Sequence, residues 1–131
     1  MRRVVHRRHR RIAAEDRAQG AGEFVEVRLQ LRQQSGRTAQ FYTAVAVLHR
    51  DRAFADCFLD RTSVVLRSLR DREIDAYLAA DEPFDCAGAL RSEALGISLC
   101  ESIVTSDPTA LIGLPLIRLA ASLRACGFHV P

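Results

Sequence analysis

The 131-residue sequence contains no lysine and no tryptophan, and it has a single methionine. All 19 basic residues are therefore arginine, a bias that is typical of a GC-rich coding sequence. No run approaches the roughly 20 uninterrupted apolar residues of a membrane-spanning helix. The basic N-terminus is not followed by the apolar stretch of a secretory signal. We therefore expect a cytoplasmic protein without a membrane segment.

Paired cysteine motifs are also absent. The four cysteines are spread along the chain without a C-x-x-C pair, at Cys57, Cys86, Cys100 and Cys126. A zinc site requires closer ligand spacing, and no histidine pair in the last hundred residues would complete one. We interpret the cysteines as buried, reduced thiols without a metal or redox role.

The residues that are present change in character along the chain. Apolar residues make up 48% of the sequence, which is enough for one buried core. Residues 1–12 hold six arginines and two histidines but no acid, and residues 13–22 are small, polar and without periodicity. We predict an Arg-rich segment over 1–22, either disordered or a lone helix, followed by a folded portion over 23–131.

Periodicity within the folded portion predicts alternating helices and strands. A helix is expected over 24–33, and an unbroken apolar run over 41–48 is typical of a strand covered on both faces. A second strand over 55–66 would complete a hairpin. Further on, we predict a helix over 71–80 with Ile74, Tyr77 and Leu78 on one face, a strand over 97–104 and a final helix with Pro115 in its first turn. The predicted buried stripe of that last helix comprises Leu116, Leu119, Ala120 and Leu123. The pattern indicates an α/β or α+β fold.

Three segments resemble the C-terminal portion of Maf-like nucleoside triphosphate pyrophosphatases. They read EIDAYLAADEPFDCAGALRSEALGI over 73–97, SDPTALIGLPLI over 106–117 and SGRTAQFYTAVAVL over 35–48. The resemblance covers residues 23–131. It implies an α/β fold of the Maf/ITPase type, with a mixed sheet flanked by helices, incomplete at its N-terminal side.

The loop after the 71–80 helix distinguishes branches of this family. Where one branch has a glutamine and handles dTTP and UTP, the branch that this sequence resembles has an acid, here Glu93, and acts on 7-methyl-GTP. A carboxylate would accept hydrogens from the N1 and exocyclic amine of 7-methylguanine and offset its positive charge. The resemblance therefore implies that Glu93, Arg91 and Ser92 bind substrate. Arg91 replaces the usual lysine and Ala94 the usual glycine.

Two features near the final helix have different interpretations, one structural and one functional. The GLPL motif over 113–116 is interpreted as a tight entry to the final helix. The turn at Asp107, Pro108 and Thr109 is a second place that could approach substrate.

Three motifs that the family resemblance would require are missing. The sequence has no S-x-S-x-x-R loop, no S-D-Q motif with its catalytic aspartate and no G-K-P-G turn. We therefore assign no catalytic residue. The resemblance implies Mg²⁺ or Mn²⁺ as cofactor, a nucleoside triphosphate substrate and a homodimer. One hypothesis is that residues 1–22 are an out-of-frame translation of a family segment.

Two alternatives to an active pyrophosphatase remain. The chain could be a folded but inert remnant of the family, and exposed apolar surface would be its signature. Alternatively, the basic arm of residues 1–12 could bind nucleic acid. That arm has no interleaved aromatic residues, and the net charge of the chain is only +3, which argues against a nucleic-acid partner.

Overall fold

The computed structural model describes residues 17–131 as a series of helices and strands. In chain order these are α1 (Arg17–Gln34), β1 (Thr38–His49), β2 (Phe54–Leu66), α2 (Asp71–Asp81), β3 (Cys100–Val104), α3 (Pro108–Ile112) and α4 (Leu116–Ala125), with two short 3₁₀ turns, Ala87–Ala89 and Leu95–Leu99, between α2 and β3. The predicted α/β class is confirmed. Residues 1–16 of the predicted Arg-rich segment lie outside the described residues. Residues 17–22 belong to α1, which therefore begins before its predicted start at residue 24.

The described residues form two compact units, each built from two separate stretches of the chain. The first comprises residues 17–37 and 67–99, with α1, α2 and the loop after α2. The second comprises residues 38–66 and 100–131, with the three strands, α3 and α4.

In the first unit, α2 packs through the face that its 3.6-residue period predicts. Ile74, Tyr77 and Leu78 are buried there, as expected from their spacing. The Glu73 carboxylate accepts a hydrogen bond from the backbone N–H of Arg70, which caps the start of the helix. The helix ends at Glu82, whose backbone is left-handed (φ 44°).

Ion pairs join α1 to α2 within the same unit. The Arg28 guanidinium contacts the carboxylates of Asp71 and Asp75, and Arg32 contacts Asp71. Leu31 of α1 is fully buried. The helix ends where the sequence predicts, because Gly36 adopts a positive φ of 67° that side-chain-bearing residues disfavour.

The second unit is organised around a three-stranded antiparallel sheet in the order β1-β2-β3. β1 and β2 form the predicted hairpin, with pairing that runs from Thr38 opposite Val65 to His49 opposite Phe54. β3 pairs with the C-terminal end of β2. α3 contacts β1 and β2, and α4 contacts β1.

The prediction that β1 is covered on both faces is wrong. Its residues alternate between exposed and partly covered along the whole strand. Tyr42 and Leu48 of β1 are 61% and 74% exposed, and Leu59 of β2 is 63% exposed on the same face. Since nearly every position of the run is apolar, the sequence carries no alternation that would reveal an open face. Tyr42, Leu48 and Leu59 thus form an exposed apolar surface on one face of the hairpin.

Three smaller expectations need correction. β3 begins at Cys100 rather than at residue 97, because Leu95–Leu99 forms a 3₁₀ turn. The short helix α3 was not predicted. In α4, Leu119, Ala120 and Leu123 are partly covered, but Leu116 is 51% exposed and does not belong to a buried stripe.

The four cysteines form no disulfide, and only Cys126 is buried, while Cys57 is exposed and the other two are partly covered. The prediction of buried thiols therefore holds for one of the four. No helix in the described part of the chain combines the length and apolar character needed to cross a membrane.

Candidate functional site

The candidate site is the loop of residues 82–96, which follows α2 in the first unit. Its path is set by two consecutive left-handed residues, Gly88 (φ 67°) and Ala89 (φ 56°). Glycine adopts this conformation without strain, but alanine does so at a cost of about 1–2 kcal/mol. Contacts from the rest of the unit must therefore hold the loop in this form.

Tyr77 of α2 supplies two of these contacts. Its hydroxyl donates to the carbonyl oxygen of Ala89 at 3.0 Å and accepts from the backbone N–H of Arg91, also at 3.0 Å. The residue is only 4% exposed. Burial raises the pKa of Tyr77 to about 12, so the hydroxyl stays protonated and can act as both donor and acceptor.

Gly96, at the C-terminal end of the loop, packs against the backbone of Arg91. A Cβ atom at this position would lie 2.5 Å from the carbonyl oxygen of Arg91 and 2.7 Å from its nitrogen. No side chain fits in that space. The close approach explains why a glycine ends the loop, and it confines the backbone of Arg91.

The three predicted substrate-binding residues follow one another in this loop. Glu93 is exposed, and Arg91 and Ser92 are partly covered. The Arg91 guanidinium donates to the carbonyl oxygen of Asp81 at 2.7 Å and lies 3.9 Å from its carboxylate. Of the three side chains, Glu93 is therefore the one presented most openly to solvent. Their role in substrate binding stays a prediction.

The electrostatic character of the loop is acidic around Cys86. Burial, a hydrogen bond with Asp85 and the negative charges of Asp85 and Glu93 together raise the pKa of the Cys86 thiol to about 11, although the charge of Arg91 opposes this shift. The thiol is therefore protonated at neutral pH and is a poor nucleophile.

A cavity of about 280 Å³ lies beside the site in the same unit. Its lining includes Tyr77, Leu95 and Leu99, together with the ion pair between Arg67 and Glu73. Hydrogen bonds from the Arg70 side chain and backbone, and then from Arg67, lower the pKa of Glu73 to about 2. The Glu73 carboxylate is thus bonded to both Arg67 and Arg70, and the two charged groups that line the cavity already have partners in the same unit.

The Asp107 turn in the second unit has a structural role. Asp107 is 2% exposed, and its carboxylate accepts hydrogen bonds from the backbone N–H groups of Thr109 and Ile117. These bonds cap α3 and the start of α4. The carboxylate is thus occupied within the fold, and the approach of this turn to substrate stays a prediction.

Clusters of metal-ligating side chains are absent from the described residues. Among residues 17–131, no group of three or more histidine, cysteine, aspartate or glutamate side chains is placed to hold a metal ion.

Comparison with known proteins identifies the family of this chain. The family model for Maf-like proteins matches residues 21–126, and the chain belongs to this family. It is 52% identical over 98 residues to a 7-methyl-GTP pyrophosphatase of Polaromonas sp., covering 75% of this chain and 45% of the relative. It is 48% identical over 110 residues to one of Xanthomonas oryzae pv. oryzae, covering 84% and 57%. A third, from Bordetella avium, is 49% identical over 107 residues, covering 81% and 53%. The chain spans about half the length of these relatives.

Sequence reasoning found the loop through the resemblance but missed what holds it. Tyr77 was placed on the buried face of α2 by its spacing, and its hydrogen bonds to residues 12 and 14 positions away were not foreseen. The only available signal was a tyrosine, rather than a phenylalanine, at a buried position, because a buried hydroxyl requires a partner.

Proposed function

We propose that this chain carries the base-recognition loop of a nucleoside triphosphate pyrophosphatase that acts on 7-methyl-GTP. The observation that carries the proposal is the exposed carboxylate of Glu93 on a loop whose backbone is fixed by Tyr77 and Gly96. The names of the relatives support the same substrate.

The chemistry of the base explains why a carboxylate is suited to this position. Guanine and 7-methylguanine both present N1–H and an exocyclic amine, which the two oxygens of a carboxylate can accept together. Only the methylated base also carries a positive charge, so its pair with the carboxylate gains an electrostatic attraction that neutral guanine lacks. An added attraction of about 1.4 kcal/mol corresponds to a preference of roughly 10-fold.

The proposed reaction is hydrolysis of the anhydride bond between the α- and β-phosphates. Water enters across this bond, and 7-methyl-GMP and pyrophosphate leave. No described residue is assigned as the base that activates the water, because the S-D-Q aspartate is absent from the sequence. We also propose the cytoplasm as compartment, a homodimeric assembly and a divalent cation as cofactor. Mg²⁺ commonly binds through substrate phosphates and one or two carboxylates, so a nucleoside triphosphate would itself supply part of its coordination.

The test is pyrophosphate release by the purified chain with Mg²⁺ and four substrates, namely 7-methyl-GTP, GTP, dTTP and UTP. We expect release from 7-methyl-GTP above the other three, and loss of that preference in Glu93→Gln. Glu101→Gln is the matched control, because Glu101 is an exposed acid of β3 outside the loop. Equal release from all four substrates, or an unchanged preference in Glu93→Gln, would refute the proposal.

A second candidate is that the chain is folded but catalytically inert. The exposed apolar face at Tyr42, Leu48 and Leu59 favours it, as does the absence of an S-D-Q motif from the sequence. This candidate predicts no pyrophosphate release from any of the four substrates. It is distinguished from a failure of the base assignment by measuring binding, since an inert chain with an intact loop would still prefer 7-methyl-GTP.

A further inference from the structure

Tyr77 connects helix α2 to the loop of residues 82–96, which is the proposed base-recognition loop. It lies on the buried face of α2, while its hydroxyl reaches two backbone groups of the loop, the carbonyl of Ala89 and the N–H of Arg91. Both distances are 3.0 Å, which is typical of well-formed hydrogen bonds. One hydroxyl thus holds the chain on both sides of Leu90.

The loop needs such a contact because of its backbone conformation. Ala89 adopts a left-handed conformation that is unfavourable for a residue with a Cβ atom. The bond from Tyr77 to the Ala89 carbonyl fixes this peptide in its strained orientation. Without it, the residue would gain by relaxing toward a negative φ.

The second bond fixes the direction in which the chain leaves toward Glu93. Arg91 lies two residues before Glu93, and its backbone is confined between the Tyr77 hydroxyl and Gly96. The Arg91 side chain is anchored on the Asp81 carbonyl. Glu93 has none of these anchors of its own, so its position depends on the backbone immediately before it.

We propose that Tyr77 is a positioning residue for base specificity. It acts through Ala89 and Arg91 and does not touch the substrate. The inference rests on the proposed function, because it assigns Tyr77 a role in the preference for 7-methylguanine that Glu93 provides. A base-recognition carboxylate discriminates only if it is held close to the productive geometry.

The experiment compares the wild-type chain with Tyr77→Phe, which keeps the buried ring and removes only the hydroxyl. Tyr42→Phe is the matched control, because Tyr42 is exposed on β1 in the second unit. The first measurement is hydrogen exchange at the Arg91 amide. A lost hydrogen bond of about 1 kcal/mol should speed exchange roughly five-fold or more.

The second measurement is the ratio of dissociation constants for 7-methyl-GTP and GTP. Tyr77→Phe should reduce the preference for 7-methyl-GTP several-fold, while GTP affinity stays within two-fold of wild type. A purely structural role would weaken both ligands equally and leave the ratio unchanged, which would overturn the proposal. Unchanged exchange at Arg91 would overturn it as well.

Measuring the same ratio of dissociation constants in Glu93→Gln separates this inference from the proposed function. If the wild-type chain shows no preference for 7-methyl-GTP, the proposed function fails and the specificity role of Tyr77 fails with it. If the wild-type preference is present and is lost in Glu93→Gln but kept in Tyr77→Phe, only the inference about Tyr77 fails.

Discussion

Substitution of Asp107 should lower the free energy of unfolding, because its buried carboxylate caps two helices of the second unit. Its carboxylate accepts hydrogen bonds from the Thr109 backbone N–H at 3.0 Å and the Thr109 hydroxyl at 2.6 Å, and from the Ile117 N–H at 2.7 Å. Pro115, at the N-cap of α4, has no side-chain acceptor of its own. Asp107 therefore caps α3 directly and takes the place of the missing cap on α4.

The expected magnitude follows from these bonds. Loss of an N-cap costs about 1 kcal/mol, and loss of a hydrogen bond to a charged group costs about 1.5–3 kcal/mol. Asp107→Ala should therefore lower the free energy of unfolding by about 3 kcal/mol, a large part of the about 5–15 kcal/mol of a typical domain. Asp107→Asn keeps one acceptor for Thr109 but turns an amide toward the Ile117 N–H, so we expect roughly half that loss.

Urea denaturation of the two variants and of the control Glu101→Gln would measure these differences. The control removes an exposed carboxylate from β3 and should match the wild-type chain. Exchange of the Ile117 amide should accelerate in both Asp107 variants. A loss of less than about 1 kcal/mol in Asp107→Ala would refute the double-cap reasoning, since one ordinary N-cap alone accounts for that much.

Three further predictions concern the first unit and the thiols. Since the pKa of Glu73 is about 2 in the fold against 4.5 ordinarily, its stabilising effect is present above 4.5 and is lost as the pH falls toward 2. The Tm of Glu73→Gln should therefore vary less between pH 4.5 and about 2 than the Tm of the wild-type chain. The same dependence of Tm on pH in both proteins would contradict this prediction. Gly96→Ala should lower Tm by several degrees, because its Cβ would meet the Arg91 backbone, whereas Gly22→Ala meets no atom within 4 Å and should not. In alkylation at neutral pH followed by mass spectrometry, exposed Cys57 should react well before Cys86, whose pKa is about 11, and equal rates would contradict the assigned burial.

The sequence predicts the hairpin and α2 well because both have strong local signals. Strands β1 and β2 are rich in β-branched and aromatic residues and are joined by a short charged turn. The spacing of Ile74, Tyr77 and Leu78 marks one helix face, and Pro83 follows its end. In each case the structure confirms the element within a few residues.

The errors arise where tertiary contacts decide the outcome. α3 has only five residues and depends on capping by Asp107, so it carries little periodicity of its own. The open face of β1 is invisible in a run of apolar residues, because apolar character shows what a residue prefers and not what covers it.

The candidate site was predictable only in part. The resemblance identifies the loop and the acid at Glu93, and the ordinary signals of sequence periodicity do not. The contacts that fix the loop require the left-handed conformation of Ala89 and the close approach of Gly96 to Arg91. Neither can be inferred from spacing, since both depend on how the loop folds back onto α2.

The central claim is that Glu93 selects the methylated base, and calorimetric titration tests it most directly. The wild-type chain and Glu93→Gln would each be titrated with 7-methyl-GTP and with GTP, with Glu101→Gln as control. We predict that the wild-type chain and the control prefer 7-methyl-GTP by roughly 10-fold or more, and that Glu93→Gln loses most of this preference. A preference that survives in Glu93→Gln, or its absence in the wild-type chain, would contradict the account.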